Sequence, residues 1–158
     1  MEQPFAIVIA VLVLTVCLAA LFNAVAALFP VTVEVSRRAI DDHPGRSFAL
    51  GVVNVLFLGG VSTALLSIGG PPFRFLGAVV LAVGVIGLTF GLAAVSGLAG
   101  ERIAPQRSGL GRMILGTFVL GLGGATPYVG WFGLIPYISC LGLGGFVLGL
   151  FRRRSAIS

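Results

Sequence analysis

The residues of this chain that could do chemistry are few, and they stand outside its apolar stretches. Asp41-Asp42-His43 is the one place where carboxylates and an imidazole are adjacent. Such a trio suits a general base or a metal ligand set. A structural or catalytic metal site, however, usually takes three or four well-placed ligands, and the chain has a single histidine. A solvated, salt-bridged loop is the preferred reading. No Gly-rich phosphate loop ending in Lys, no HExxH and no GxSxG is present. Cys17 and Cys140 lie in apolar runs without metal-ligand spacing and read as small hydrophobes. The expectation is a non-enzymatic protein with no catalytic residue, no metal and no cofactor.

The elements that would hold these residues are membrane segments. Of 158 residues, 58% are hydrophobic and 9% charged, against roughly 25% charged in soluble domains. A soluble fold of this length could not hide so much apolar surface. The sequence predicts one all-α integral membrane domain over residues 1–158, with about five hydrophobic segments at 5–29, 48–68, 73–98, 113–128 and 132–151. The first is about 38 Å long as a helix, enough to cross with tilt. It makes a poor signal peptide, because Glu2 and no basic residue precedes it. The fourth is short, so a variant with four spans and a re-entrant hairpin of segments four and five stays open. Thr126–Trp131 is a turn between them, with Tyr and Trp suited to the interface.

The polar segment 31–47 carries Glu34/Arg38, Arg37/Asp41 and Arg38/Asp42, each four apart. Those pairs would face each other on a short surface helix, followed by a turn at Pro44-Gly45.

All ten basic residues are arginines, and they flank apolar runs. This fits the positive-inside rule rather than nucleic-acid binding. Arg37, Arg38 and Arg46 fall in the first loop, Arg74 in the second, Arg102, Arg107 and Arg112 in the third, and Arg152, Arg153 and Arg154 in the tail. Five segments put nine of the ten on one side. The expected topology is multi-pass in a bacterial inner (plasma) membrane, N-terminus outside and C-terminus cytoplasmic. Arg37, Arg38, Arg152, Arg153 and Arg154 are candidate contacts for lipid head groups.

No Asp, Glu, Lys or His lies inside an apolar run. This argues against a proton-coupled carrier. Asn23, Asn54, Thr63, Thr89, Ser96, Thr117 and Ser139 do lie inside, and such groups mostly hydrogen-bond across helices or to their own backbone. The sharpest pattern is a small-residue stripe in the third segment: Gly77, Gly84, Gly87, Gly91 and Ala94 share one helical face. Gly145 and Gly149 repeat the GxxxG spacing in the fifth. These are candidate helix-packing positions, with the partner helix in the same chain or another.

Four strings stand together: Ala27-Leu-Phe-Pro30, Pro44-Gly-Arg-Ser-Phe-Ala-Leu-Gly51, Gly97-Leu-Ala-Gly-Glu-Arg102 and Gly133-Leu-Ile-Pro-Tyr-Ile138. Between Ala27 and Phe151 the chain resembles the polytopic membrane module found in bacterial proteins beside bactofilin-like polymer-forming domains. The polymer-forming domain is not among these 158 residues. The resemblance implies an architecture and a bacterial origin, and no enzymatic activity. The expected function is a structural or accessory subunit that packs against other membrane proteins or further copies of itself, with lipids as its surroundings. A small channel or carrier, or a lipid- or pigment-binding protein, is the alternative.

Overall fold

Three prolines set the starts of three helices. Pro30, Pro44 and Pro71 each occupy a first helical turn, where the missing N–H costs nothing, and each pushes its predecessor out of helical geometry. Phe29 (φ −131°) and His43 (φ −142°) are accordingly the breaks on either side of the second helix. The computed structural model describes the backbone of residues 2–68, 70–126 and 128–155, and the side chains of 9–68, 70–126 and 128–151. The elements are α1 (Glu2–Leu28), α2 (Pro30–Asp42), α3 (Pro44–Ser67), α4 (Pro71–Ile103), α5 (Gly109–Gly124), a single π-helical segment (Val129–Leu134) and α6 (Ile135–Ser155).

The chain is an all-α, multi-pass membrane protein. Among the described residues, four stretches are long and apolar enough to cross: Ile9–Leu28, Pro44–Ser67, Pro71–Ile103 and Val129–Phe151. At 16 residues α5 is about 24 Å long, shorter than the ~30 Å hydrocarbon layer. The helices turn large apolar side chains outward, among them Leu56, Phe57 and Phe75. Water would penalise that surface; lipid does not.

Two segment readings are corrected. Pro44-Gly45 is not a turn but the first turn of α3, because a first-turn Pro opens a helix as readily as it ends one. The predicted surface helix is α2, but it is not simply a surface element: Val33, Ser36, Ala39 and Ile40 are buried. They form one face at helical spacing, and Val33 and Ile40 join Phe22, Ala93, Ala94, Val95, Met113 and Leu141 in the core. Ser108 starts α5 four residues before the predicted segment, its hydroxyl accepting from the Gly111 N–H at 3.3 Å.

The core is built from small residues, so backbones approach closely. Gly77 packs on Leu65, Leu66 and Ser62 of α3, and Gly84 on Leu58. Gly87 faces Leu143 and Phe146, and Gly91 meets the backbone of Gly142. Ala94 is fully buried. Gly145 packs on Ile40 and Gly149 on Ser36. The partners of the predicted stripe are therefore helices of the same chain. The sequence reading missed equally tight contacts: Gly51 on Cys140, Gly100 on Arg112, Gly116 on Ser96 and Gly144 on Ser47. Phe90 stacks on Phe146 (5.5 Å) and meets Phe29 edge-on (5.4 Å), tying α4 to α6 and to the α1–α2 corner.

The hairpin of α5 and α6 has both open ends at one end of the bundle. Arg112 of α5 lies against Gly100 near the end of α4, and Gly149 of α6 lies against Ser36 of α2. The tip of that hairpin holds Tyr128, whose φ of 68° is the one positive value on a non-glycine residue among the described residues. With ψ −66° it sits in the rare γ-turn region, which carries strain.

Candidate functional site: a charged cleft at one end of the bundle

Beside its buried stripe α2 carries Glu34, Arg37, Arg38 and Asp41. Packing of α2 beside the end of α4 brings these residues to Glu101 and Arg102, and the first turn of α5 adds Arg112. Glu34 Oε1 accepts from Arg38 Nε at 2.9 Å and from Arg37 Nη2 at 3.0 Å. Arg37 Nη1 donates to Glu101 Oε2. Arg112 Nη1 donates to the other oxygen, Oε1, at 3.1 Å. The result is a ladder, Arg38–Glu34–Arg37–Glu101–Arg112, with three guanidiniums and two carboxylates joining α2, α4 and α5. Beside it, Arg102 Nη2 donates to Asp41 Oδ1 at 2.8 Å.

The predicted Glu34/Arg38 pair forms, but Arg37 does not turn to Asp41. Arg37 lies on the side of α2 that faces α4, where Glu101 is nearer, and Asp41 is taken by Arg102. Nothing in the spacing of residues 31–47 could reveal a partner 64 residues away. Partial burial pushes the Glu34 carboxyl up, but the hydrogen bonds from Arg38 and Arg37, with their charges, outweigh it and hold it below the ordinary glutamate value.

Under the ladder lies a cleft of about 390 Å³ between α1, α2, α4 and α5. Arg37, Glu34 and Arg112 border it, and Ala26, Val33 and Met113 supply apolar wall. Arg112 Nε is buried without a hydrogen-bond partner. Deeper along the same helices is a second, smaller cavity of about 220 Å³, lined by Leu18, Phe22, Leu92, Thr117, Leu120 and Ile138 among others.

Four of the polar groups inside the apolar helices are occupied locally. Asn23, Asn54, Thr89 and Thr117 each donate to the carbonyl one turn back, at 2.8–2.9 Å. His43 is exposed at the corner between α2 and α3. Among the described residues, no three His, Cys, Asp or Glu side chains converge as a metal would require. Of the arginines proposed for head groups, Arg37 is held in the ladder and Arg38 is largely exposed. The side chains of Arg152, Arg153 and Arg154 lie outside the described residues. Comparison with known protein families, with characterised proteins and with solved structures found no match.

Proposed function

We propose that the chain is a non-enzymatic accessory subunit that packs against another membrane protein. The observation that carries this reading is the outer face of α3. Gly59, Gly60, Thr63, Ala64 and Ser67 are all exposed and border one shallow recess. A Cβ added at Gly59 or Gly60 would meet nothing within 4 Å. A glycine inside a helix costs up to about 1 kcal/mol relative to alanine. Gly77 and Gly91 offset that cost with close contacts inside the chain; Gly59 and Gly60 do not. The spacing Gly60/Ala64, with Gly59/Thr63/Ser67 beside it, is the small-residue pattern by which helices approach in lipid. The resemblance to membrane modules that accompany polymer-forming domains is in keeping with a role without chemistry of its own.

The test is co-purification from native membranes in mild detergent, comparing the natural chain with Gly60→Leu and Ala64→Leu. The expected result is a partner that travels with the natural chain and is lost with either variant, while thermal stability of the free chain is not lowered. A natural chain that migrates as a free monomer would overturn the reading.

A further inference from the structure

The charged cleft invites a ligand, and its chemistry says which kind. The mouth carries more positive than negative charge: three guanidiniums share two carboxylates in the ladder. Of the Arg112 donors, Nη1 is spent on Glu101, whereas Nε is buried without a partner. A buried, unpaired donor on a cationic group is destabilising. The Arg112 side chain as a whole is 28% exposed, so a small turn of its guanidinium would bring that donor to an anionic oxygen in the cleft, as a charge-assisted hydrogen bond.

Below the mouth the chemistry changes. The walls pass to Ala26, Ala27, Val33 and Met113. The second cavity is a separate space further along three of the same helices, with Phe22 next to Asn23 on α1, Ser96 next to Gly97 on α4 and Thr117 one turn beyond Met113 on α5. Its lining is almost entirely apolar. A charged mouth over an apolar shaft fits a molecule that is itself divided in that way. At about 390 Å³ the cleft alone falls within the ordinary range of ligand sites.

The geometry points to a binding site for an anionic bilayer lipid, its head group against Arg112 at the mouth of the cleft and an acyl chain running between α1, α4 and α5. The inference is independent of what covers the outer face of α3. Glu34 and Glu101 supply specificity as well as support, because they hold the guanidiniums in place and repel a second anion. A zwitterionic head places its cation among guanidiniums that are already in excess, and is disfavoured there.

The experiment uses the full chain in maltoside detergent. Binding of dioleoyl phosphatidylglycerol, dioleoyl phosphatidylcholine and inorganic phosphate is measured by native mass spectrometry and by thermal shift. The glycerol lipid should bind at least tenfold tighter than the choline lipid. Phosphate alone, at the same concentration, should give no shift. Arg112→Gln should weaken the glycerol lipid about tenfold, the scale of one charge-assisted hydrogen bond. Ala27→Trp fills the shaft from an exposed position and leaves every charge in place. It should weaken the same lipid by a similar factor, and it decides the matter if Arg112→Gln fails to fold. Arg46→Gln removes an exposed arginine outside the cleft and should change nothing. Equal binding of the two lipids, a full response to phosphate alone, or equal losses in Arg46→Gln and Ala27→Trp would each overturn the site.

Discussion

Gly91 of α4 and Gly142 of α6 lie backbone to backbone. A Cβ built on Gly142 would fall 2.7 Å from the carbonyl carbon of Gly91, and one built on Gly91 would overlap the Gly142 carbonyl. No flexible side chain can yield there. Gly91→Ala is therefore expected to cost about 3 kcal/mol, at or beyond the upper end of ordinary overpacking. At Gly87 the neighbours are side-chain atoms of Leu143 and Phe146, at 3.1 and 3.3 Å, which can shift. Gly87→Ala should cost about 1 kcal/mol, and Val85→Leu, on an exposed face, almost nothing. Thermal unfolding of the three variants in one detergent checks the order. Equal melting temperatures for Gly91→Ala and Val85→Leu would refute it.

These glycines also mark what could be read from the sequence. Apolar runs alone revealed the membrane segments, because lipid demands them of any chain that crosses. The stripe Gly77 to Ala94 was legible because one helix carries it at regular spacing. Gly51, Gly100, Gly116 and Gly144 were not, since each is defined by a backbone on another helix and forms no stripe of its own. The burial of α2 was half legible: its ion pairs signalled a helix, whereas Val33 and Ile40 could be recognised as core only once α4 and α6 lay beside them. The cleft was illegible for the same reason, as Arg37 and Arg112 are joined through Glu101 on a third helix.

Glu101 is the middle of the ladder, with one carboxylate oxygen for Arg37 and the other for Arg112. Glu101→Gln keeps the shape and removes the charge, leaving two guanidiniums facing a neutral amide. These groups are only partly buried, so solvent screens the loss, and a cost of about 1 kcal/mol is expected. The cost should shrink as salt is raised. A destabilisation that is the same at low and high ionic strength would assign Glu101 a packing role instead.

The depressed titration of Glu34 has a sign that can be checked. Its carboxyl releases its proton more readily in the folded chain than in the unfolded one. Its contribution is therefore fully present above the unfolded value of about 4.5 and disappears as pH falls through the lower, folded value. Glu34→Gln should be less stable than the natural chain at neutral pH, and the two should converge in acid. Melting curves from pH 7 down to about pH 3 would show this, and a gap that stays constant or widens on acidification would contradict it.

Ser62 gives a prediction of the opposite direction. It is buried in α3 beside Gly77 of α4, and its hydroxyl lacks a hydrogen-bond partner. Removing an unsatisfied buried donor relieves its desolvation penalty. Ser62→Ala should be neutral or stabilising by about 1 kcal/mol, whereas Ser47→Ala, which loses the bond from Ser47 Oγ to the Ala39 carbonyl, should destabilise by a similar amount. Stability of the pair in detergent separates them, and a clear loss in Ser62→Ala would show that the hydroxyl has an unrecognised partner.

The charges at the two ends of the bundle lead to the last prediction. The ladder draws together the stretch after α1, the end of α4 and the start of α5, so that Arg37, Arg38, Arg102 and Arg112 lie at one end. The end of α6 arrives there too, since Gly149 packs on Ser36. Arg74, in the first turn of α4, belongs to the opposite end, a full helix length from Arg102. Arginine-rich ends stay in the cytoplasm when a chain inserts, so this end is expected inside and the N-terminus outside. Reporter cysteines test it in a Cys17→Ser, Cys140→Ser background. Ser36 is unsuitable as a site because it is buried, but Gly45 and Gln106 are exposed. In intact cells an impermeant thiol reagent should label Gln3→Cys and spare Gly45→Cys and Gln106→Cys, and all three should react once the membrane is opened. Labelling of Gly45→Cys and Gln106→Cys in intact cells, with Gln3→Cys protected, would invert the topology and place the charged cleft on the outer side.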